Sequence, residues 1–123
     1  MTDLVRTSGQ TSMLPGAVLV GDLVFTSGII DPRILGGEVP PPAEQARGAL
    51  RALLHTVAAA GGGPDSVVRV EAYIADPGHI DAWNEAYKEV WPVPGPARTT
   101  LVVGFALPAI SVELQAVAVA TSS

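Results

Sequence analysis

The hydrophobic and polar positions of this chain repeat with two periods, one typical of strands and the other of amphipathic helices. Apolar runs and period-two alternation predict six strands, at residues 4–7, 17–20, 23–27, 67–75, 99–105 and 111–121. The second and third strands enclose Gly21 and Asp22, a pair that predicts a β-hairpin. In the fourth strand we expect one apolar face, formed by Val68, Val70, Ala72 and Ile74.

Two segments carry apolar residues at helical spacing. The first helix is expected to begin at Pro42 and to end at the glycines 61–63, with an apolar stripe of Ala46, Leu50, Leu53, Leu54 and Val57. The second follows Asp76, an N-cap residue, and its stripe is Ile80, Trp83, Tyr87, Val90 and Trp91. We interpret these aromatic side chains as core residues rather than as a ligand cage. Residues 28–42 are rich in proline and glycine and are predicted to form a loop.

Helices mixed with strands, without repeats, predict a single α+β domain over residues 1–123, in which both helices cover one face of a mixed sheet. The last two strands are apolar on both faces, but the chain contains no further segment that could cover the second face of the sheet. The composition points the same way, because 48% of the residues are hydrophobic and only 15% are charged, against about 25% in ordinary domains. We therefore expect a permanent oligomer with cyclic symmetry.

The net charge of −5 and the absence of a basic stripe argue against nucleic acid as a partner. The chain contains no cysteine, which excludes disulfides and thiolate sites. No apolar run approaches the roughly 18 residues that span a bilayer, and the first residues lack the apolar core of a signal peptide. A cytoplasmic protein without a membrane partner is the expectation.

Arg98 is the candidate binding residue that stands out from the pattern. It follows the prolines at 92, 94 and 96, which enforce extended geometry, and precedes a predicted buried strand at residues 99–105. An arginine held on rigid backbone can grip one carboxylate with two hydrogen bonds. The alternative is an ion pair with an acidic residue of its own subunit.

Five motifs occur in an order and at separations that resemble the Rid (reactive intermediate deaminase, YjgF-like) family. They are Gly21 to Gly28, Glu44 to Arg47, Asn84 to Tyr87, Pro96 to Thr99, and Val112 to Ala118. The resemblance covers nearly the whole chain from about residue 12. It implies a chorismate-mutase-like α+β fold and a homotrimer whose sheets form a central β-barrel, with clefts between neighbouring subunits.

The resemblance also implies an activity: hydrolysis of a small 2-imino or 2-enamino acid to a 2-keto acid and ammonia, with no cofactor and no metal. Arg98 matches the arginine that binds the substrate carboxylate. By position, the residues expected to line the cleft are Leu14, Ser27, Gly28, Asn84 and Thr100. The small carboxylate-bearing metabolite and the other protomers of the trimer are the implied partners.

Two positions depart from the pattern of the family that the chain resembles. Gln115 stands at the position of the family's water-positioning glutamate, and Leu14 replaces an aromatic residue of the N-terminal loop. An amide orients water but exchanges no proton near neutrality. Glu113 lies on the same strand face, about 7 Å away. It either reaches the cleft through a water, or pairs with a basic residue, or serves as a rim charge. His55 lies near the C-terminal end of the first helix, where a cationic imidazole suits the helix dipole, and His79 is expected to be solvated. Neither is expected to be catalytic.

The first functional hypothesis is therefore an imine deaminase in which Arg98 anchors the carboxylate and Gln115 orients water. The second is a trimer that binds a small carboxylate metabolite without deaminating it, and a third keeps the cleft but catalyses another pathway-specific reaction. A ribonuclease is disfavoured, because the chain is acidic and has neither a histidine–lysine pair nor an aromatic stacking platform.

Overall fold

The computed structural model of the chain describes residues 3–121. Its six strands are β1 (Leu4–Arg6), β2 (Ala17–Val20), β3 (Leu23–Thr26), β4 (Val67–Ile74), β5 (Ala97–Val102) and β6 (Val112–Val119). Its two α-helices are α1 (Pro42–Ala59) and α2 (Ile80–Val90), and three short 3-10 helices lie at Pro32–Gly36, Pro64–Ser66 and Pro77–His79. The predicted order of strands and helices is confirmed.

The strands form one mixed sheet in the order β1-β2-β3-β6-β4-β5. All neighbouring strands are antiparallel except β4 and β5, which are parallel because α2 returns the chain to the same end of the sheet. The β2–β3 hairpin turns at Gly21, whose φ of 60° lies in the left-handed region that glycine adopts without strain. Because β5 comes last in the strand order, it is an edge strand and pairs only with β4 within the described sheet.

The core lies between the sheet and the two helices, which both cover the same face. From α1 the stripe buries Leu53 and Val57, and from α2 it buries Trp83, all at 0% exposure. Alternate strand residues meet them: Val24, Val70, Ile74, Val112 and Leu114 belong to the same buried cluster. This arrangement confirms the predicted two helices on one face.

Asp76 is confirmed as a cap, since its side chain accepts a hydrogen bond of 2.7 Å from the Gly78 backbone N–H. It caps the 3-10 turn that leads into α2 rather than α2 itself. The predicted loop at residues 28–42 contains a further 3-10 helix, Pro32–Gly36, because the Asp31 carboxylate accepts a hydrogen bond from the Arg33 backbone N–H. None of the described helices has the length and apolar character needed to cross a membrane.

Two strand predictions were wrong in detail. A β-bulge between Val67 and Arg69 shifts the register, so that Val67 is buried and Val68 is 48% exposed. The strand predicted at residues 99–105 runs from Ala97 to Val102, and Leu101 is 50% exposed because it lies on the face of the sheet away from the helices. Arg98 thus lies within the strand, not ahead of it.

The face of the sheet away from the helices is uncovered in the single chain. The register places Leu23, Phe25 and Leu101 on this open face, and each is at least 40% exposed. The sequence predicts that other subunits cover this face, and that expectation stays a prediction.

Candidate functional site

Arg98 occupies the second position of β5 and points towards the helix side of the sheet, because it is in register with the buried Val70. Its Cζ atom lies 4.8 Å from the centre of the Tyr87 ring, a cation–π contact. Among residues 3–121 it forms no ion pair, so an intrachain carboxylate partner, the alternative left open by the sequence, is not seen. The guanidinium is therefore oriented by an aromatic ring and available to an anion.

Two further predicted residues lie on the elements that carry Arg98 and Tyr87, Thr100 on β5 and Asn84 on α2. Thr100 is also on the helix side of β5, and its Oγ1 accepts a hydrogen bond of 3.3 Å from Trp83 Nε1. On α2, the Asn84 side-chain oxygen is buried without a hydrogen-bond partner in the described part of the chain, although such groups are normally paired. We refer to Asn84, Arg98 and Thr100 as the arginine edge.

A second group of predicted residues lines a cavity of about 140 Å³ near the end of β3. Its walls include Leu14, Ser27, Gly28 and Glu113, which we refer to as the glutamate pocket. Ser27 Oγ donates a hydrogen bond of 2.7 Å to the Pro15 carbonyl, which fastens the loop that carries Leu14. The structure thus brings three predicted cleft residues together with Glu113.

Glu113 has the surroundings of an acid/base residue. Its carboxylate packs so closely against Gly28 that a Cβ at that position would overlap it. Burial raises the pKa of Glu113 above its ordinary value of 4.5. Within the described residues it forms no ion pair, so the basic partner considered from sequence is not seen.

Gln115 lies two residues along β6 from Glu113 and takes part in a hydrogen-bonded group of its own chain. Its Nε2 donates hydrogen bonds of 2.9 Å to Glu71 Oε2 and 3.1 Å to the Tyr73 hydroxyl, on the open face. The Tyr73 hydroxyl also donates to Glu71, at 2.8 Å. The Tyr73 hydroxyl and the Gln115 amide, which both donate to the Glu71 carboxylate, lower the pKa of Glu71. The hydrogen bond between Tyr73 and Glu71 also raises the pKa of the Tyr73 hydroxyl. Gln115 is absent from the walls of the glutamate pocket, and its water-positioning role remains a prediction.

Within one chain the arginine edge and the glutamate pocket are far apart. Glu113 is in register with Tyr73 and, through it, with Leu101, which is three residues along β5 from Arg98. Two strand spacings and three strand residues give a separation of about 14 Å between the two Cα atoms. The two side chains also leave opposite faces of the sheet, so one chain cannot place both against a single small molecule.

Sequence reasoning gave little weight to Glu113 and assigned Tyr87 to the core. Alternation along β6 puts Glu113 and Gln115 on the same face, and nothing in the sequence shows which of them meets Gly28. The stripe of α2 correctly indicates that Tyr87 is partly buried, but not that Arg98 lies across its exposed face. His55 is exposed and His79 is half-buried with its Nδ1 unpaired in the described residues, and neither lines the glutamate pocket.

Comparison with protein families gives a match over residues 12–120 to the family described as Endoribonuclease L-PSP. The chain belongs to this family. It is the YjgF-like, or Rid, family, which the five sequence motifs predicted.

Family members of known name include human 2-iminobutanoate/2-iminopropanoate deaminase, which is 34% identical over 97% of this chain and 93% of its own. Protein mmf2, mitochondrial, of Schizosaccharomyces pombe is 35% identical over 72% of this chain and 70% of its own. The mitochondrial name belongs to that relative, and the cytoplasmic location of this chain stays a prediction.

Solved YjgF-like structures share the fold. A Mycobacterium tuberculosis member of the YjgF/YER057c/UK114 family matches with a TM-score of 0.83 and 23% identity, over 95% of this chain and 99% of that chain. A Pseudomonas aeruginosa protein of unknown function matches with a TM-score of 0.84 and 23% identity, over 100% and 96% of the two chains. At this identity the likeness concerns the fold.

Proposed function

We propose that this Rid-family protein is an imine deaminase, which hydrolyses a small 2-imino or 2-enamino acid to the 2-keto acid and ammonia. The observation that carries the proposal is the Arg98 guanidinium, stacked on Tyr87 and without an ion-pair partner in the described chain. A guanidinium in this state binds a carboxylate through two parallel hydrogen bonds. The name of the human relative, at 34% identity, supports the substrate class.

We further propose that the protein acts as a homotrimer in which the arginine edge of one copy faces the glutamate pocket of the next. Support comes from the 14 Å gap within one chain, estimated from strand spacings, and from the uncovered apolar face of the sheet. A substrate held by Arg98 would then be flanked by Asn84 and Thr100 of the same copy. Leu14, Ser27 and the Gly28 backbone would contact it from the neighbouring copy.

In this arrangement Glu113 is the proposed acid/base residue. Burial brings the pKa of the Glu113 carboxyl group closer to neutral pH than the pKa of a free glutamate, and this suits proton transfer. Glu113 would take a proton from the water that adds to the imine carbon and give it to the imine nitrogen, which forms the carbinolamine. Glu113 would then move the hydroxyl proton of this intermediate to the amino group, so that the C–N bond breaks, the C=O bond forms and ammonia leaves. Gln115 would support this strand through Glu71 and Tyr73.

Four variants test these roles, with release of keto acid from a 2-imino acid as the readout. Arg98→Ala should abolish turnover, whereas Arg98→Lys should retain charge but bind the substrate more weakly. Glu113→Gln should lower kcat by about 10²- to 10⁴-fold. Gln115→Ala is the matched comparison on the same strand face and should lose much less.

Unchanged turnover in Arg98→Ala would refute the deaminase site. A loss in Gln115→Ala equal to that in Glu113→Gln would restore the water-positioning role to Gln115. A wild-type protein that binds 2-keto acids through Arg98 but releases no ammonia would instead be the non-catalytic carboxylate binder, the second hypothesis from sequence.

A further inference from the structure

A larger cavity, of about 540 Å³, lies beside α1 and takes no part in the proposed deaminase site. α1 contributes Arg51 and His55 to its wall, and the segment before β2 contributes Gln10. The remaining charged groups are Asp31 and Arg33, at the start of the 3-10 helix. The cavity therefore concentrates basic side chains in a protein with only seven lysines and arginines.

The two arginines of this cavity differ in how far their charge is already neutralised. Arg33 is occupied, because its Nη2 lies 2.7 Å from Asp31 Oδ2 and its Nη1 lies 3.1 Å from Glu44 Oε1. The Arg51 side chain makes no hydrogen bond or ion pair with any residue in the range 3–121. Its positive charge nevertheless faces the cavity, where it contributes to lowering the pKa of Asp31.

The Asp31 carboxylate is hydrogen-bonded to Arg33 and not to Arg51. The Asp31 carboxylate is 1% exposed and packs against α1 where Gly48 leaves room for it, since a Cβ there would overlap the carboxylate. Both of its oxygens receive hydrogen bonds from Arg33. The Asp31 carboxylate is thus paired with Arg33, and the positive charge of the Arg51 guanidinium is not neutralised by it.

Arg51 and His55 are separated by one helical turn, which places their Cβ atoms about 6 Å apart on the same face of α1. Together they offer N–H donors to two oxygens of one anion. Ala52 and Pro32 add apolar wall beside them, so the cavity suits an anion that carries a short carbon skeleton.

We propose that this cavity is a second ligand site, which binds a small organic oxyanion between Arg51 and His55. The ligand class is a carboxylate or a phosphate monoester. The site goes beyond the proposed deaminase function and does not depend on Arg98.

The test is a titration of the ¹⁵N-labelled full chain with sodium acetate and, separately, with glycerol 3-phosphate, at constant ionic strength. We expect saturable shifts of the backbone amides at residues 8–10 and 51–56. Saturation by acetate alone, by glycerol 3-phosphate alone or by both would support the site and identify the anion it prefers. Arg51→Gln and His55→Gln should each weaken the response at least about tenfold.

Arg47→Gln is the matched control, because Arg47 lies on the same helix but pairs with Glu89 at 2.9 Å. It should leave the titration unchanged. The Arg98→Ala chain should also bind normally, which separates this site from the deaminase proposal. Absence of a saturable shift with both anions, or an undiminished response in Arg51→Gln, would overturn the inference.

Discussion

An Arg98→Ala chain and a Glu113→Gln chain should regain, when assembled together, the activity that neither has alone. The reason is the separation within one chain, where the two Cα atoms lie about 14 Å apart and the side chains leave opposite faces of the sheet. A four-carbon imino acid is only about 5 Å long by standard bond lengths. A site that uses both groups must therefore take them from two copies.

The size of the recovery follows from counting. In an equal mixture assembled at random, a given cleft has an intact arginine edge and an intact glutamate pocket in about a quarter of cases, because each condition holds for half of the copies. Each variant alone should retain about 1% of wild-type turnover or less. Co-assembly should therefore raise turnover about 25-fold or more above either parent.

The assay unfolds the two variants together in urea, refolds them, and follows ammonia and keto acid release from a 2-imino acid generated in the cuvette. Each variant refolded alone, and a mixture that was never unfolded, are the controls. A refolded mixture whose turnover equals the mean of its parents would show that Arg98 and Glu113 do not share a cleft. A monomer in size-exclusion chromatography would contradict the assembly directly.

Two further predictions concern single glycine and aspartate positions. Gly28→Ala should displace the flexible Glu113 carboxylate and lower kcat/KM by about 100-fold with little change in Tm. Gly63→Ala is the control, because nothing lies within 4 Å of a Cβ at that position, and it should change neither kcat/KM nor Tm. Equal kinetics in the two variants would contradict the close packing of Glu113 against Gly28. Asp31→Asn should lower the free energy of unfolding at pH 7 by about 1.5–3 kcal/mol, because it weakens charged hydrogen bonds to Arg33. Burial alone would raise the pKa of Asp31, but Arg33 outweighs it and the pKa is lowered, so the difference from wild type in urea unfolding should shrink as pH falls below 3.8, and a difference that is independent of pH would refute this account.

The elements of the fold could be predicted from the sequence because their signals are local. Both helices have one apolar stripe and a proline near the start, and the β2–β3 hairpin has a glycine at the turn. The bulge at Val68 could not be predicted, because Val67 and Val68 are both apolar and the sequence does not show which of them is buried. Its position depends on the pairing of β4 with β6, which is a contact distant in sequence.

The candidate site was predictable only as a set of residues, not as an arrangement. Arg98 was expected ahead of a buried strand, but β5 is an edge strand, and the parallel register with β4 decides that its guanidinium lies over Tyr87. The same holds for Glu113. Its approach to Gly28 depends on the bridge between Ile29 and Leu114, which joins segments far apart in the chain.

The position of Gln115 is better explained by the sheet than by the reaction. Its amide closes a hydrogen-bonded group with Glu71 and Tyr73, and Arg69 completes this group through a 3.3 Å contact with Glu71. A glutamate at position 115 would face the Glu71 carboxylate at the 2.9 Å distance that the amide now spans, and one of the two would have to take up a proton. A glutamine there keeps a second negative charge away from Glu71. Two residues earlier on the same strand face, Glu113 has no ion-pair partner among the described residues.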